Sequence, residues 1–192
     1  MRLFVAVELG ENIVQRADEL IRELRNRTAN IAPRARITWP SPERLHLTIA
    51  FVGEVDDPRA AAIQGALAPP VQVPSFDLTI GGTGAFPQHG PPRVLWAGLE
   101  HGKEDLIALE DEIGGRLAAL GIPRETRPYN PHLTLARVRE PAGLRAARLF
   151  DGLEERRLGT TRVDAITLFQ SRLSPKGPTY LALLRTPLAE ST

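Results

Sequence analysis

The chain contains no cysteine, and among its basic residues only Lys103 and Lys176 are lysine; all the others are arginine. Without cysteine there is no disulfide, no thiolate nucleophile and no Cys-ligated zinc or iron–sulfur centre. An excess of charge of either sign is missing too. Lys and Arg number 24 against 23 Asp and Glu, for a net charge of +1. No broad field therefore draws in nucleic acid. Such a substrate would have to be caught locally by a few placed cations, and the planar fork of arginine suits phosphate. No apolar run approaches the roughly 20 residues that span a bilayer. The first eight residues carry Arg2 and Glu8, which makes them too short and too soon charged for a signal peptide. A cytoplasmic protein without membrane association is expected. At 192 residues the chain suits one domain, or two small lobes sharing a core.

What is present is a repeated stretch. His46-Leu47-Thr48-Ile49-Ala50-Phe51-Val52 returns 86 positions later as His132-Leu133-Thr134-Leu135-Ala136-Arg137-Val138. Side chains alternate along a strand, so each His shares a face with the Thr two residues on. Leu47, Ile49 and Phe51 are expected on the opposite, core face, as are Leu133 and Leu135. By the same rule Arg137, five residues from His132, falls on the face opposite to it. A separation a little under half the chain points to duplication rather than to a solenoid. The two polar faces are expected to meet across one cleft.

The rest of the chain supplies a frame for these strands. Residues 3–9 read as a buried strand. Ile13, Val14, Ala17, Leu20, Ile21 and Leu24 recur at helical spacing and predict an amphipathic helix over 11–27. A short strand is expected over 35–39. Asp57 is expected to cap a helix that runs to Leu67, with Pro58 at its first position. Residues 76–80 and 93–99 read as strands, with a flexible loop over the glycine-rich 81–87 and a connection over 87–92. A second amphipathic helix is predicted over 103–120, with Gly121 at its end. Residues 124–130 form a polar approach to the second motif, and 142–150 a short helix. Residues 162–170 and 179–184 read as a closing hairpin around a turn at 174–178. No linker divides the chain, and two interlocked α+β lobes are the natural architecture.

Two imidazoles facing one substrate suit proton transfer near neutrality, because the ordinary His pKa is about 6.5. Phosphoester cleavage needs this pairing: a base on the attacking side of phosphorus and an acid on the leaving side. Thr48 and Thr134 are placed to donate to non-bridging oxygens. A single His-x-Thr in a strand is more often structural. Two copies with matched flanks, in a chain of four histidines, point to catalysis by the pair. His89 and His101, in loops beside glycine, are expected to be exposed and passive. Nothing suggests a metal site, since no His-x-x-x-His or carboxylate cluster accompanies the motifs. A G-x-S-x-G elbow is lacking, and Gly81-Gly82-Thr83-Gly84 is followed by no Gly-Lys-Ser/Thr and so is no P-loop.

With these residues in view, the sequence resembles the 2H phosphoesterases, named for two His-x-Thr/Ser-x motifs. Within them it is similar to the bacterial and archaeal RNA 2′,3′-cyclic phosphodiesterases, also called 2′-5′ RNA ligases. The likeness covers essentially the whole chain. It includes Arg2-Leu3-Phe4-Val5-Ala6-Val7, both motif strands, Gly84-Ala85-Phe86-Pro87, Pro92-Arg93-Val94-Leu95-Trp96-Ala97-Gly98 and Gly177-Pro178-Thr179-Tyr180. The resemblance implies an α+β fold of two pseudo-symmetric lobes, antiparallel sheets flanked by helices around a central cleft. It implies hydrolysis of a terminal 2′,3′-cyclic phosphate to a 2′-phosphate with neither metal nor cofactor, and a reverse reaction that joins RNA by 2′-5′ bonds. It assigns His46 as proton donor and His132 as proton acceptor, an order the residues alone leave open. It also marks Arg137 as a phosphate contact. Phe86, in a glycine-rich stretch, is the candidate for base stacking, whereas Phe51 is expected in the core. The expected partners are RNA ends or small cyclic-phosphate nucleotides, with no obligate protein partner and a monomeric state. A non-catalytic RNA-end binding module is the reading from another class, and two intact histidines argue against it.

Overall fold

The computed structural model describes residues 1–174 and 177–190. Ten strands form two five-stranded sheets, and four helices cover them. The strands are β1 (Arg2–Glu8), β2 (Arg36–Thr38), β3 (His46–Glu54), β4 (Val71–Pro74), β5 (Phe76–Phe86), β6 (Val94–His101), β7 (Leu133–Glu140), β8 (Arg157–Val163), β9 (Ala165–Arg172) and β10 (Thr179–Ala189). The first sheet has the order β3-β1-β9-β10-β4, the second β2-β7-β6-β5-β8. Every pairing is antiparallel except β10 with β4. This is an α+β fold, and each sheet holds one His-x-Thr motif: β3 in the first, β7 in the second.

The sheets exchange material between the two halves of the chain. β9 and β10, from the C-terminal end, complete the first sheet beside β1. The helix α1 (Glu11–Ile31), from the N-terminal half, packs on β8 and β7 of the second sheet. Its buried stripe is Ile13, Ala17, Leu20, Ile21 and Leu24, as its 3.6-residue spacing predicts, and Thr28 extends that stripe one turn further. The helices α2 (Asp57–Leu67) and α3 (Lys103–Ala118) pack together on the first sheet. The short α4 (Ala146–Leu149) lies against α1.

Several expectations need correction. Asp56, one residue before the expected cap, accepts the Arg59 N–H at 2.9 Å and caps α2, so Pro58 is the second helical residue rather than the first. Residues 81–86 are not a loop but the second half of β5. Glycine is needed for room at Gly84, where a Cβ would strike the Trp96 ring, whereas at Gly81 it would meet only the flexible Glu100 side chain. The strand expected over 162–170 is broken at Asp164, where the chain leaves β8 in the second sheet and enters β9 in the first. β4 is not among the expected strands; its Val71-Gln72-Val73 alternation is only three residues long. His101 ends β6 rather than sitting in a loop, though it is exposed as expected. The turn expected over 174–178 includes Pro175 and Lys176, which lie outside the described residues. Gly121 does end α3, in a left-handed conformation (φ 74°) that lets Ile122 N–H reach the Leu117 carbonyl.

Candidate active site

Each catalytic candidate enters its strand in the same way. His46 follows a 3₁₀ turn at Pro42–Arg44, and its Nδ1 lies 2.7 Å from the Arg44 carbonyl oxygen. His132 directly precedes β7, and its Nδ1 lies 2.8 Å from the Asn130 carbonyl oxygen. A carbonyl only accepts, so Nδ1 carries the proton in both rings. Nε2 is left as the working nitrogen of each. The rings are held by aromatic neighbours. Phe4 lies 4.9 Å from the His46 ring and Tyr180 stands edge-on to it at 5.3 Å. Phe86 stands edge-on to His132 at 5.1 Å, with Trp96 behind it at 5.2 Å.

A cavity of about 730 Å³ opens between the motif strands. Thr48 and Phe51 line it from β3; Thr134, Arg137, His132 and Phe86 line it from the second sheet. His46 is not among the lining side chains; Thr48, two residues on and on the same face of β3, is. The Arg137 cation holds down the proton affinity of both His46 and His132, so it is within electrostatic range of each. The Tyr129 hydroxyl, three residues before His132, donates across to the Thr48 carbonyl at 2.8 Å. Burial is the first cause of the lowered pKa of each imidazole; the carbonyl on Nδ1 pulls upward and Arg137 downward. Burial also raises both Tyr129 and Tyr180, which keeps their hydroxyls protonated as donors.

Alternation misplaces two side chains, and for one reason. In the β1–β3 pairing, Ala6 faces Thr48 and Val5 faces Ala50, so Ile49 is an extra residue. Phe51 then faces Phe4, whose ring lies on His46. Directly paired residues share a face, so Phe51 joins the histidine face. It is 53% exposed and lines the cavity, contrary to the expected core position. In the β6–β7 pairing, Trp96 faces Thr134 and Leu95 faces Ala136, so Leu135 is the extra residue. Arg137 then pairs with Val94 on the cavity side. The same bulge, three residues after each His, turns the residue at offset five onto the site.

The structure therefore brings Thr48, Thr134, Arg137 and Phe86 together with His132 around one cavity, while His46 stays outside its lining, two residues before Thr48 on the same face of β3. His89 is exposed and stands apart from them. Sequence reasoning missed Tyr129, Phe4 and Tyr180. Tyr129 was hidden in a segment read only as polar, whereas the other two are far from His46 in sequence and meet it through strand pairing. Among the described residues no group of three or more His, Asp or Glu is arranged to hold a metal ion, and no helix is long and apolar enough to cross a membrane.

Comparison with known proteins gives a consistent picture. Residues 11–174 match the model of the 2′-5′ RNA ligase superfamily. The RNA 2′,3′-cyclic phosphodiesterase of Aeropyrum pernix is 35% identical over 150 residues, covering 78% of this chain and 85% of that protein. The protein of the same name from Thermotoga maritima is 32% identical over 184 residues, covering 95% and 93%. Among solved structures, TT0787 of Thermus thermophilus matches over the full length of both chains with a TM-score of 0.76 and 30% identity. Escherichia coli LigT complexed with 3′-AMP matches over 98% of each chain with a TM-score of 0.72 and 26% identity.

Proposed function

The chain belongs to the 2′-5′ RNA ligase superfamily, and from that premise we propose that it is a phosphoric diester hydrolase, an RNA 2′,3′-cyclic phosphodiesterase. It opens a terminal 2′,3′-cyclic phosphate to a 2′-phosphate by two-histidine acid–base catalysis. The names carried by its relatives and the 3′-AMP complex of E. coli LigT support a nucleotide substrate. The observation that carries the mechanism is the repeated Nδ1–H to carbonyl bond, which leaves one free Nε2 in each motif.

The steps follow from the chemistry. Neutral His132 takes a proton from water at Nε2 as the water oxygen attacks phosphorus. The bond from phosphorus to the 3′ oxygen breaks on the opposite side. His46, protonated on Nε2, gives its proton to that leaving oxygen, so a 3′-hydroxyl and a 2′-phosphate result. In-line displacement requires the two histidines on opposite sides of one phosphorus, and this mechanism assigns them to those sides. Thr48 and Thr134 donate to the non-bridging oxygens and the Arg137 fork neutralises their charge. With a 5′-hydroxyl in place of water as the nucleophile, the same step joins RNA ends: its proton passes to His132, the 5′ oxygen bonds to phosphorus, the bond to the 3′ oxygen breaks with a proton from His46, and a 2′-5′ bond results. The enzyme works as a monomer in the cytoplasm, without a metal.

The deciding experiment is incubation with RNA ending in a 2′,3′-cyclic phosphate, with and without EDTA. A 2′-phosphate product at a rate indifferent to EDTA is expected. A 3′-phosphate product would reverse the leaving group, and loss of turnover on chelation would overturn the metal-free route.

A further inference from the structure

The bulge at Leu135 has an outer neighbour, because β7 is paired on its far side with β2. Thr38 of β2 faces Arg137 directly. It therefore stands on the cavity face. The Arg139 Nε lies 3.5 Å from the Thr38 hydroxyl. That contact brings the Arg139 side chain round to the same face, although a second register shift between Arg36 and Ile37 leaves Arg139 without a partner of its own on β2. Arg93, next to the Val94 that faces Arg137, turns its Nη1 towards the Arg139 carbonyl at 3.5 Å.

These cations differ from the arginines around them. Arg36 and Glu140, on the same strand pair, neutralise each other at 3.5 Å. Arg124 spans Glu110 and Asp111, and Arg116 holds Glu112. Arg137, Arg139 and Arg93 have no carboxylate within ion-pair distance among the described residues. In a chain with a net charge of only +1, an uncompensated arginine row leading away from the site is a local anion track.

We propose that Arg139, held by Thr38 beside Arg137, forms a second phosphate subsite that takes the phosphodiester preceding the terminal cyclic phosphate, so the preferred substrate is an RNA chain end rather than a free cyclic nucleotide. This rests on the cyclic-phosphodiesterase reading and names its substrate class. The geometry suits it. Two residues along a strand advance at most about 6.8 Å, a step comparable to that between successive phosphates of a single strand. Arg137 meets the reacting phosphate and Arg139 the next one. The exposed guanidinium reads charge and not sequence.

The test compares a trinucleotide ending in a 2′,3′-cyclic phosphate with a cyclic mononucleotide, in wild type and R139A. R139A is expected to lower kcat/KM for the trinucleotide roughly tenfold more than for the mononucleotide. R139K should recover most of that difference, and the slope of log K against log salt for trinucleotide binding should fall by about 0.7, as for one lost contact to a single strand. R22A, which removes the same charge from the Asp18 ion pair on α1, should leave the ratio of the two substrates where it was. Equal losses on both substrates, or no loss, would overturn the subsite while leaving the phosphodiesterase intact. If neither substrate is hydrolysed by wild type, the functional reading falls. The subsite is then decided by binding of a 2′-phosphate-terminated trinucleotide against a 2′-mononucleotide, where an unchanged ratio in R139A rejects it.

Discussion

The two motif strands start alike and part at their fifth step. Each is led by an imidazole, at the first residue of β3 and just before β7, whose Nδ1 is tied to the carbonyl two residues back. Both place a Thr on the same face and then insert one extra residue, Ile49 or Leu135. The residue that the bulge delivers is Phe51 in one strand and Arg137 in the other. The neighbours differ as well. β7 has β2 on its outer side, so Arg137 stands opposite Thr38. β3 is the edge of its sheet, and its Thr48 carbonyl is met by the Tyr129 hydroxyl instead. On the proposed mechanism the duplicated part of the site handles protons and the diverged part handles the substrate, with an apolar ring on one wall and a cation on the other.

Removing the shared feature should cost most. His46→Ala and His132→Ala are each expected to lower kcat by 10²–10⁴-fold while a 2′-phosphate-terminated RNA still binds. Single-turnover kinetics with a binding isotherm checks this. Normal turnover in either variant would show that the two strands are not equivalent halves of one acid–base pair.

The diverged position should separate kcat from KM. Arg137→Ala removes a charge-assisted donor to the developing phosphate charge and should cost about 10²-fold in kcat. Phe51→Ala removes an exposed ring from the cavity wall. It should raise KM about tenfold, as lost base stacking does, with kcat little changed. Indistinguishable effects of the two variants would erase the contrast drawn between them.

The pH profile tests the electrostatics. Both imidazoles titrate below 6.5 because they are desolvated and face Arg137. In the free enzyme, kcat/KM should rise as one of the pair loses its proton and fall as the other does, with apparent values that belong to the pair. Bound phosphate favours the protonated ring, so the alkaline limb of kcat should lie at higher pH than that of kcat/KM. Removing the Arg137 cation should move both limbs upward. Stability follows the same sign. Unfolding restores the ordinary affinity, so the unfolded chain binds more protons, and stability should be lost as pH falls from about 6.5 through the lower folded values. Thermal midpoints at several pH values between 5 and 8 would show it; a flat midpoint would contradict burial of the neutral rings.

The smallest effect belongs to the outer edge of β3. Tyr129→Phe keeps the ring and deletes the donor to Thr48. A loss of about 0.5–1.5 kcal/mol in unfolding free energy is expected, with a several-fold decrease in kcat if this bond sets the spacing of the two motifs. Chemical denaturation beside steady-state kinetics separates the two contributions, and an unchanged kcat would reduce the bond to a local tie.

Much of this was legible in residues. Alternation correctly put His46 with Thr48 and Leu47 with the core, because those positions precede the bulge. It failed at Phe51 and Arg137, because a bulge is a property of the pair and not of the strand: nothing at Ile49 or Leu135 announces that the partner will skip it. The glycines at 81, 82 and 84 signalled a loop from their own conformational freedom. The neighbour Trp96, in another strand, turned Gly84 into a place where a strand can accept a foreign side chain.

The sequence by itself determined which groups are candidates for the chemistry, the buried stripe of α1, the Gly121 helix end and the family. These depend on residue type and on periods of two or 3.6, which are local. The tertiary structure alone decided the exchange of strands at Asp164, the face on which Phe51 and Arg137 stand, the aromatic walls around each imidazole, and the desolvation that lowers both pKa values. Each of those depends on what another segment places within a few ångströms, and no single stretch of chain carries that information.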